Sequence, residues 1–157
     1  MRMTPDPAAR IREASPDDLD ALVALERVTF ESDRISRPQW RRHIGSDSAC
    51  VLVAGPRDRI DGAAVVFHRR NSRRARLYSL AVAAASRGRG LAKALLAAAE
   101  ADARRHGCNV LDLEVRTDNR AAIALYEHHG YRRTTRLQGF YEDGADGWRF
   151  TKALADP

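Results

Sequence analysis

The segment with the clearest chemical meaning is Arg87-Gly88-Arg89-Gly90-Leu91-Ala92. It follows an apolar, strand-like run from Leu77 to Ala83 and opens an alanine-rich amphipathic stretch from Leu91 to His106. A glycine-rich turn between a strand and a helix gathers backbone N–H groups at the helix N-terminus, where they bind phosphate. Glycine also lets the backbone approach a ligand closely. The segment therefore predicts a phosphate-binding turn.

Two common phosphate motifs fit this turn poorly. A P-loop needs G-x-x-x-x-G-K-[ST], and the chain contains no Gly-Lys-Ser or Gly-Lys-Thr. A dinucleotide fingerprint needs G-x-G-x-x-G, and although Gly88 and Gly90 fit its first two glycines, Lys93 stands at the third. The preceding strand also follows an antiparallel-looking pair of strands, which does not suit a βαβ unit. The dinucleotide interpretation is therefore the weaker one.

The thiols and imidazoles do not form the pattern of a nucleophile or a metal centre. Cys50 and Cys108 are too few for a disulfide framework and lack metal-ligand spacing, so we expect buried free thiols. His106, His128 and His129 fall at predicted helix C-termini, where the helix dipole stabilises a partly charged imidazole. No carboxylate or cysteine at metal spacing is identified beside them, and we expect no metal site.

Bulk composition bounds the class of protein. The 157 residues, 44% of them hydrophobic, suit one folded domain spanning 1–157 rather than a disordered chain. No apolar run approaches the roughly 18 residues of a membrane-spanning helix, and the N-terminus lacks the apolar core of a signal peptide. We therefore expect a cytoplasmic protein whose residues 1–9 form a flexible lead-in. The net charge of +6 suits an anionic ligand, and the basic run Arg69–Arg74 is expected to be a solvated hairpin loop.

Hydrophobic periodicity and turn residues predict the elements that position this turn. Strands are predicted at Arg10–Glu13, Cys50–Ala54, Gly62–Phe67, Arg76–Val82, Val110–Val115, Tyr131–Leu137 and Trp148–Leu154. Helices are predicted after the Ser15-Pro16-Asp17-Asp18 start and over Pro38–Ile44, Leu91–His106 and Arg120–His129. The order βαα–βββ–α–β–α–ββ indicates an α/β layer with a mixed sheet.

The phosphate-binding turn resembles the [R/Q]-x-x-G-x-[G/A] signature of the GCN5-related N-acetyltransferase (GNAT) family. The downstream segment from Asn119 to Tyr131 is similar to that family's second block, N-x-x-A-x-x-L-Y-x-x-x-G-[FY]. The resemblance covers about Arg10 to Leu154, with both blocks in the correct order. It implies the GNAT fold: an α/β domain with a mixed, mostly antiparallel central sheet of about six to seven strands, flanked by about four helices.

The resemblance further implies that acetyl-CoA is the co-substrate. In the family the glycine turn, here Arg87 to Lys93, holds the diphosphate of CoA. The end of the preceding strand, here Leu80-Ala81-Val82, pairs with the pantetheine arm like an added strand. Asn119 and Tyr126 of the second block are then expected to contact the cofactor.

Acetyl transfer to an amine requires removal of a proton from the amine, stabilisation of an oxyanion and protonation of the leaving thiolate. The resemblance places Tyr126 as the general acid near the CoA sulfur and Glu114 as the base, in a direct transfer within a ternary complex. An ordered water is the alternative base. If these two residues are not catalytic, Tyr126 is a tyrosine packed in the core and Glu114 is a solvated residue paired with Asp112 or Arg116.

The sequence indicates the acceptor amine less clearly than it indicates the cofactor. Leu113-Glu114-Val115-Arg116 looks like the ribosomal-protein alanine N-acetyltransferase branch, which acetylates protein N-termini. That branch usually carries a Pro-Trp pair where this chain has Phe30–Ile35, and an Asp-Ala pair about where it has Trp148-Arg149, so a small-molecule amine stays open. Phe30 and Tyr141 are the candidate acceptor contacts.

The alternative from another class is a non-catalytic module that binds acyl-CoA or uses its basic face for interactions. Retention of Tyr126 and Glu114 favours an enzyme. Nucleic acid is not an expected partner, because the chain has neither an aromatic-basic RNA-binding pattern nor a DNA-reading helix pair. Homodimers are common in the family, and the sequence does not fix the oligomeric state.

Overall fold

The computed structural model describes residues 11–56 and 58–155. Its strands are β1 (Ile11–Glu13), β2 (Ala49–Ala54), β3 (Gly62–His68), β4 (Arg74–Val82), β5 (Val110–Arg116), β6 (Arg132–Leu137) and β7 (Gly147–Ala153). Its α-helices are α1 (Leu19–Thr29), which follows a 3₁₀ turn at Pro16–Asp18, α2 (Arg37–Ile44), α3 (Leu91–Arg105) and α4 (Arg120–His128). In this part of the chain, no helix is long and apolar enough to cross a membrane.

The described strands form one sheet in the order β1-β2-β3-β4-β5-β7-β6. Only the β4–β5 pair is parallel, and the other five pairs are antiparallel. The expected element order and mixed, mostly antiparallel sheet are therefore confirmed, with element ends shifted by one or two residues. Arg10 and the expected lead-in at 1–9 lie outside the described residues.

Helices cover both faces of the sheet. The α3/α4 face buries large residues such as Leu95, Leu111 and Phe150. The α1/α2 face buries Leu22 and Trp40 against β2 and β3. Because β3 lies between these two cores, it is apolar on both sides, as its sequence predicted. The α1/α2 core does not extend over β5, where the corresponding face is polar.

A bulge in β4 changes which side chains face each core. Val65 of β3 pairs with Ser79, while Val66 pairs with Leu77, so Tyr78 is an extra residue in β4. Leu77 faces the α3/α4 core before the bulge, and Leu80 packs against the same core after it. The parallel pairing of β4 with β5 also ends at Leu77. Beyond this point, β4 leaves its β5-facing edge open.

Gly62 sets the position of α3 on the sheet. A Cβ atom at Gly62 would lie 2.8 Å from Leu95 Cδ1 and 3.2 Å from Leu91 Cδ2. Because the glycine carries no side chain, the first turns of α3 pack directly against β3. The helix N-terminus is thereby held beside the end of β4.

Candidate active site

The predicted phosphate-binding turn lies between the end of β4 and the start of α3. A short 3₁₀ turn at Ala84–Ser86 leads into Gly88 and Gly90, whose φ angles are +80° and +77°. Gly90 is the residue that precedes α3, and its left-handed conformation favours glycine. A Cβ atom at either glycine would meet no atom within 4 Å. The two glycines thus expose their backbone to an incoming ligand.

The turn presents a row of free donors. No backbone amide from Gly88 to Lys93 donates a hydrogen bond to another described residue, and the first helical bond runs from Ala94 N to Gly90 O at 3.0 Å. These amides collect at the positive end of the α3 dipole. Among the described residues, Arg87, Arg89 and Lys93 also have no ion-pair partner. The turn therefore has the features that favour a multiply charged anion such as a diphosphate, and binding of the cofactor there stays a prediction.

Gly90→Ala is expected to raise KM for acetyl-CoA about tenfold, because a methyl group would stand where the diphosphate is expected to approach the amides. Gly107→Ala is the matched control, since Gly107 follows the other end of α3 with the same φ of +77° and the same open space. Both variants should lose about 1 kcal/mol of stability to left-handed strain. Steady-state kinetics that showed equal KM values for the two variants would contradict the diphosphate role.

Along the open edge of β4, backbone N–H and C=O groups face the space between β4 and the diverging β5. Ala83 N donates to Asp61 O at 2.8 Å, so the backbone of Ala83 faces β3. Because successive strand residues alternate in direction, the amides and carbonyls of Leu80 and Val82 face away from β3, into the space where β5 has diverged. Ala81 contributes a buried side chain to the α1/α2 core. An extended, amide-bearing arm can add to this edge as an extra strand.

Tyr126 lies on α4 with its ring in the α3/α4 core. Its ring centroid is 5.7 Å from that of Tyr131 and 6.5 Å from that of Phe150. Its hydroxyl makes no hydrogen bond to any residue that the structure describes. Burial, and secondarily the nearby Tyr141, raises the pKa of Tyr126 well above its ordinary value. The side chain therefore carries its proton at neutral pH and has it available to donate.

Asn119 starts α4. Its side-chain oxygen accepts a hydrogen bond from Ala122 N at 3.1 Å, which caps the helix that carries Tyr126. The cap uses the carbonyl of the side-chain amide and leaves its NH₂ group available. Contact between that group and the cofactor stays a prediction.

Glu114 stands where β4 and β5 part. The last parallel pair joins Leu77 to Leu113, so Glu114 is the first residue of β5 beyond the pairing. Its carboxylate accepts hydrogen bonds from Arg76 Nε at 2.9 Å and from Arg149 Nη2 at 3.3 Å. The side chain is only 8% exposed. The sequence-based alternative, a solvated Glu114 paired with Asp112 or Arg116, is therefore replaced by a carboxylate held between two arginines.

Two loops meet on the same face of the sheet as Glu114. The carboxylate of Asp33, in the α1–α2 loop, accepts from the backbone amide of Glu142, in the β6–β7 loop, at 3.2 Å. Phe30 directly follows α1 and packs against the α1/α2 core. Burial, with the charge of Glu114 as the second cause, raises the pKa of Tyr141 to about 12. The structure thus brings the loops of Phe30 and Tyr141 together near Glu114.

Arg116 fixes the β6–β7 loop. Its guanidinium lies 5.2 Å from the Tyr141 ring centroid and donates to Asp143 Oδ2 at 2.7 Å. The side-chain bonds hold the pKa of Arg116 above its ordinary value and that of Asp143 below. Sequence reasoning did not identify this residue as a support for Tyr141. The alternation of Asp112, Glu114 and Arg116 along β5 marked a polar face but could not show which loop covers it.

Three further aromatic residues, Trp40, Trp148 and Phe140, differ in their positions relative to this site. Trp40 is buried in the α1/α2 core. Trp148 packs against the α3/α4 core, with the guanidinium of Arg133 4.3 Å from its ring centroid. Phe140 is 41% exposed and touches Tyr141 edge-on. Of these three residues, only Phe140 is exposed and in contact with Tyr141.

Comparison with known proteins identifies the family. The pattern of the acetyltransferase (GNAT) family matches residues 19–131. The N-alpha-acetyltransferase of Saccharolobus solfataricus is 34% identical over 155 residues, which cover 92% of this chain and 92% of that protein. N-alpha-acetyltransferase 30 of Schizosaccharomyces pombe is 34% identical over 122 residues, which cover 76% of this chain and 81% of that protein. The chain therefore belongs to the GNAT acetyltransferase family and is an N-acetyltransferase.

A solved structure supports the fold. The crystal structure of the ribosomal-protein-S18-alanine N-acetyltransferase from Escherichia coli aligns with a TM-score of 0.81, at 24% identity and over 94% of each chain. The expected family, fold and enzyme class are confirmed. The roles of individual site residues stay predictions that the geometry makes specific.

Proposed function

We propose that this enzyme transfers the acetyl group of acetyl-CoA to the α-amine of a peptide or protein. The observation that carries the proposal is the open β4 edge, which leads from the anion-binding turn to Glu114, at the point where β4 and β5 separate. A cofactor whose diphosphate occupies the turn would direct its acyl end along this edge. The joined loops of Phe30 and Tyr141 leave the other side for the acceptor. The relatives named as N-alpha-acetyltransferases support a terminal amine as the acceptor class.

The proposed reaction is a direct attack of the amine on the thioester carbonyl. Glu114 takes the proton that the amine must lose, directly or through one water. A backbone N–H of the Leu80–Val82 edge donates to the carbonyl oxygen as it becomes an oxyanion. As the C–S bond breaks, Tyr126 gives its proton to the CoA sulfur. No covalent enzyme intermediate forms, so neither Cys50 nor Cys108 should become acetylated during turnover.

Thiol release from acetyl-CoA is the experiment that tests this function. Release should accelerate with peptides whose N-terminus is free and not with the same peptides carrying a blocked N-terminus. Acceleration by small amines alone would favour a small-molecule acetyltransferase. Cofactor binding without release across both pools would favour a non-catalytic module. The cytoplasmic location remains a prediction. The homodimer is also a prediction, and analytical ultracentrifugation of the purified protein tests it.

Tyr141→Ala is expected to raise KM for the peptide about tenfold, because loss of a well-placed contact costs about 1.4 kcal/mol. KM for acetyl-CoA should stay unchanged. Tyr141→Phe keeps the ring beside Arg116 and tests the hydroxyl separately. Initial rates with each substrate varied would show the effect. An unchanged peptide KM in Tyr141→Ala would remove this residue from the acceptor site.

A further inference from the structure

A second cluster of chemically active side chains lies at the far end of α3. Asp102 is 1% exposed and precedes His106 by one helical turn, while His68 ends β3 and is 7% exposed. His68 Nε2 is 3.5 Å from Asp102 Oδ2, and His106 Nδ1 is 3.5 Å from Asp102 Oδ1. The 15 residues of α3 separate this cluster from the anion-binding turn by about 22 Å. The acetyl-transfer chemistry proposed above does not use it.

Three buried side-chain atoms of this cluster lack hydrogen bonds. Neither carboxylate oxygen of Asp102 nor Nε2 of His68 has a hydrogen-bond partner within the described residues. A separation of 3.5 Å is long for a hydrogen bond between nitrogen and oxygen. Arg105 also reaches no closer than 3.5 Å, and its side chain is 62% exposed. A buried carboxylate with such incomplete compensation is costly unless a cation completes its surroundings.

The spacing of these atoms suits a metal ion. One donor atom from each of His68, Asp102 and His106 can be chosen so that all three lie within 4.8 Å of one another. Two ligands about 2.0–2.1 Å from a tetrahedral Zn²⁺ lie about 3.3 Å apart, which is close to the observed 3.5 Å separations. Glu13, Cys50 and Asp102 form a second such group. Asp102 belongs to both groups, which together contain five potential ligands.

Access and chemistry favour a transition metal over a hard cation. His68 and His106 line a surface cavity of about 1050 Å³ together with Ser46, Ser48 and the Arg69–Arg73 loop. The group offers two imidazole nitrogens and one carboxylate, a donor set that suits Zn²⁺, whereas Mg²⁺ and Ca²⁺ need several carboxylate or carbonyl oxygens. The centroids of the two imidazole rings lie 3.7 Å apart. Nδ1 of His106, whose side chain is 43% exposed, lies 2.9 Å from the backbone oxygen of Asp102, and coordination of an ion by this nitrogen would replace that hydrogen bond.

We propose that His68, Asp102 and His106 bind a divalent transition-metal ion of the Zn²⁺ type, with Cys50 or water as a fourth ligand. The ion would link the C-terminal end of β3 to the C-terminal end of α3. This proposal departs from the sequence-based expectation of no metal site. That expectation overlooked Asp102 at i−4 from His106, and the position of His68 becomes evident only in the fold.

The test uses the full chain after removal of metal with a chelator. Titration with Zn²⁺ should show one ion bound per chain and a higher midpoint of thermal unfolding, and Co²⁺ should give visible d–d absorption bands. His106→Ala and Asp102→Asn should lose these effects, while His128→Ala, another histidine near a helix C-terminus, should keep them. No saturable binding, or equal binding by His106→Ala, would overturn the proposal.

Asp102→Asn distinguishes metal binding from a purely internal charge cluster. If the site binds a metal, removing the buried charge should leave the metal-free protein at least as stable as the wild type and abolish the Zn²⁺-induced shift in unfolding midpoint. If Asp102 only pairs with protonated histidines, the substitution should destabilise the protein and Zn²⁺ should have no effect on the wild type either. The second pattern would overturn the proposal. Neither readout depends on acetyl transfer.

Discussion

Replacing Tyr126 with phenylalanine is expected to lower kcat by about 100-fold or more, the scale of general acid catalysis and about 2.7 kcal/mol of barrier. The ring should keep its packing against Tyr131 and Phe150, because only the hydroxyl is removed. KM for acetyl-CoA should therefore change little. Steady-state kinetics at saturating peptide measure the effect, and an unchanged kcat would exclude Tyr126 as the acid.

Tyr131→Phe is the matched control for this variant. Tyr131 belongs to the same buried aromatic group, but its hydroxyl donates to Glu100 Oε2 at 2.9 Å, and no contact with the cofactor is predicted for it. Its loss should reduce stability and leave kcat near the wild-type value. Equal losses of kcat in both variants would show that the aromatic packing, and not a proton from Tyr126, supports catalysis.

The pH dependence of Tyr126 follows from its environment. Burial raises its pKa, so the acid form persists throughout the neutral range and beyond the ordinary tyrosine value of about 10. Activity should therefore not fall between pH 7 and about pH 9 through loss of this proton. A basic limb in that interval that Tyr126→Phe abolished would contradict the assignment.

The conformation of the glycine turn between β4 and α3 was predictable because its signal is local. Gly88 and Gly90 need left-handed backbone, Leu91 begins the helical periodicity, and all the residues involved are adjacent in sequence. The same reasoning explains why the order of elements was predicted correctly. Asn119 also lay where a helix cap was expected.

The surroundings of Glu114 were not predictable, because they depend on strand pairing. Arg76 reaches Glu114 only because β4 and β5 run in parallel with Leu77 opposite Leu113. Arg149 reaches it only because β7, rather than β6, lies beside β5. The bulge at Tyr78 likewise gives no local signal, since nothing in that segment breaks the strand pattern. The alternation along β5 predicted that Glu114 lies on the polar face of the strand, but it could not identify Arg76 and Arg149 as its hydrogen-bond partners.

Glu114→Gln is expected to lower kcat by about 100-fold or more and to remove or shift the acidic limb of the pH–kcat profile. The base must be deprotonated to act, so activity that depends on it falls as the pH falls. Glutamine keeps the size of the side chain and can still accept hydrogen bonds from Arg76 and Arg149, but it cannot take a proton from the amine. Rates measured across the pH range at saturating substrates report the change.

Asp112→Asn is the control that the chain itself provides. Asp112 lies two residues earlier on the same face of β5 and is held in a similar way, by Arg74 at 2.8 Å and by Thr151 at 2.6 Å. It lies within the paired part of β5, away from the open β4 edge. If the arginine–carboxylate pairs serve only to join the strands, the two variants should lose similar, small amounts of stability and keep similar kcat values. A loss of kcat confined to Glu114→Gln would identify Glu114 as the general base. An unchanged pH–kcat profile in that variant would instead indicate that an ordered water accepts the proton and that Glu114 is only a structural partner of the two arginines.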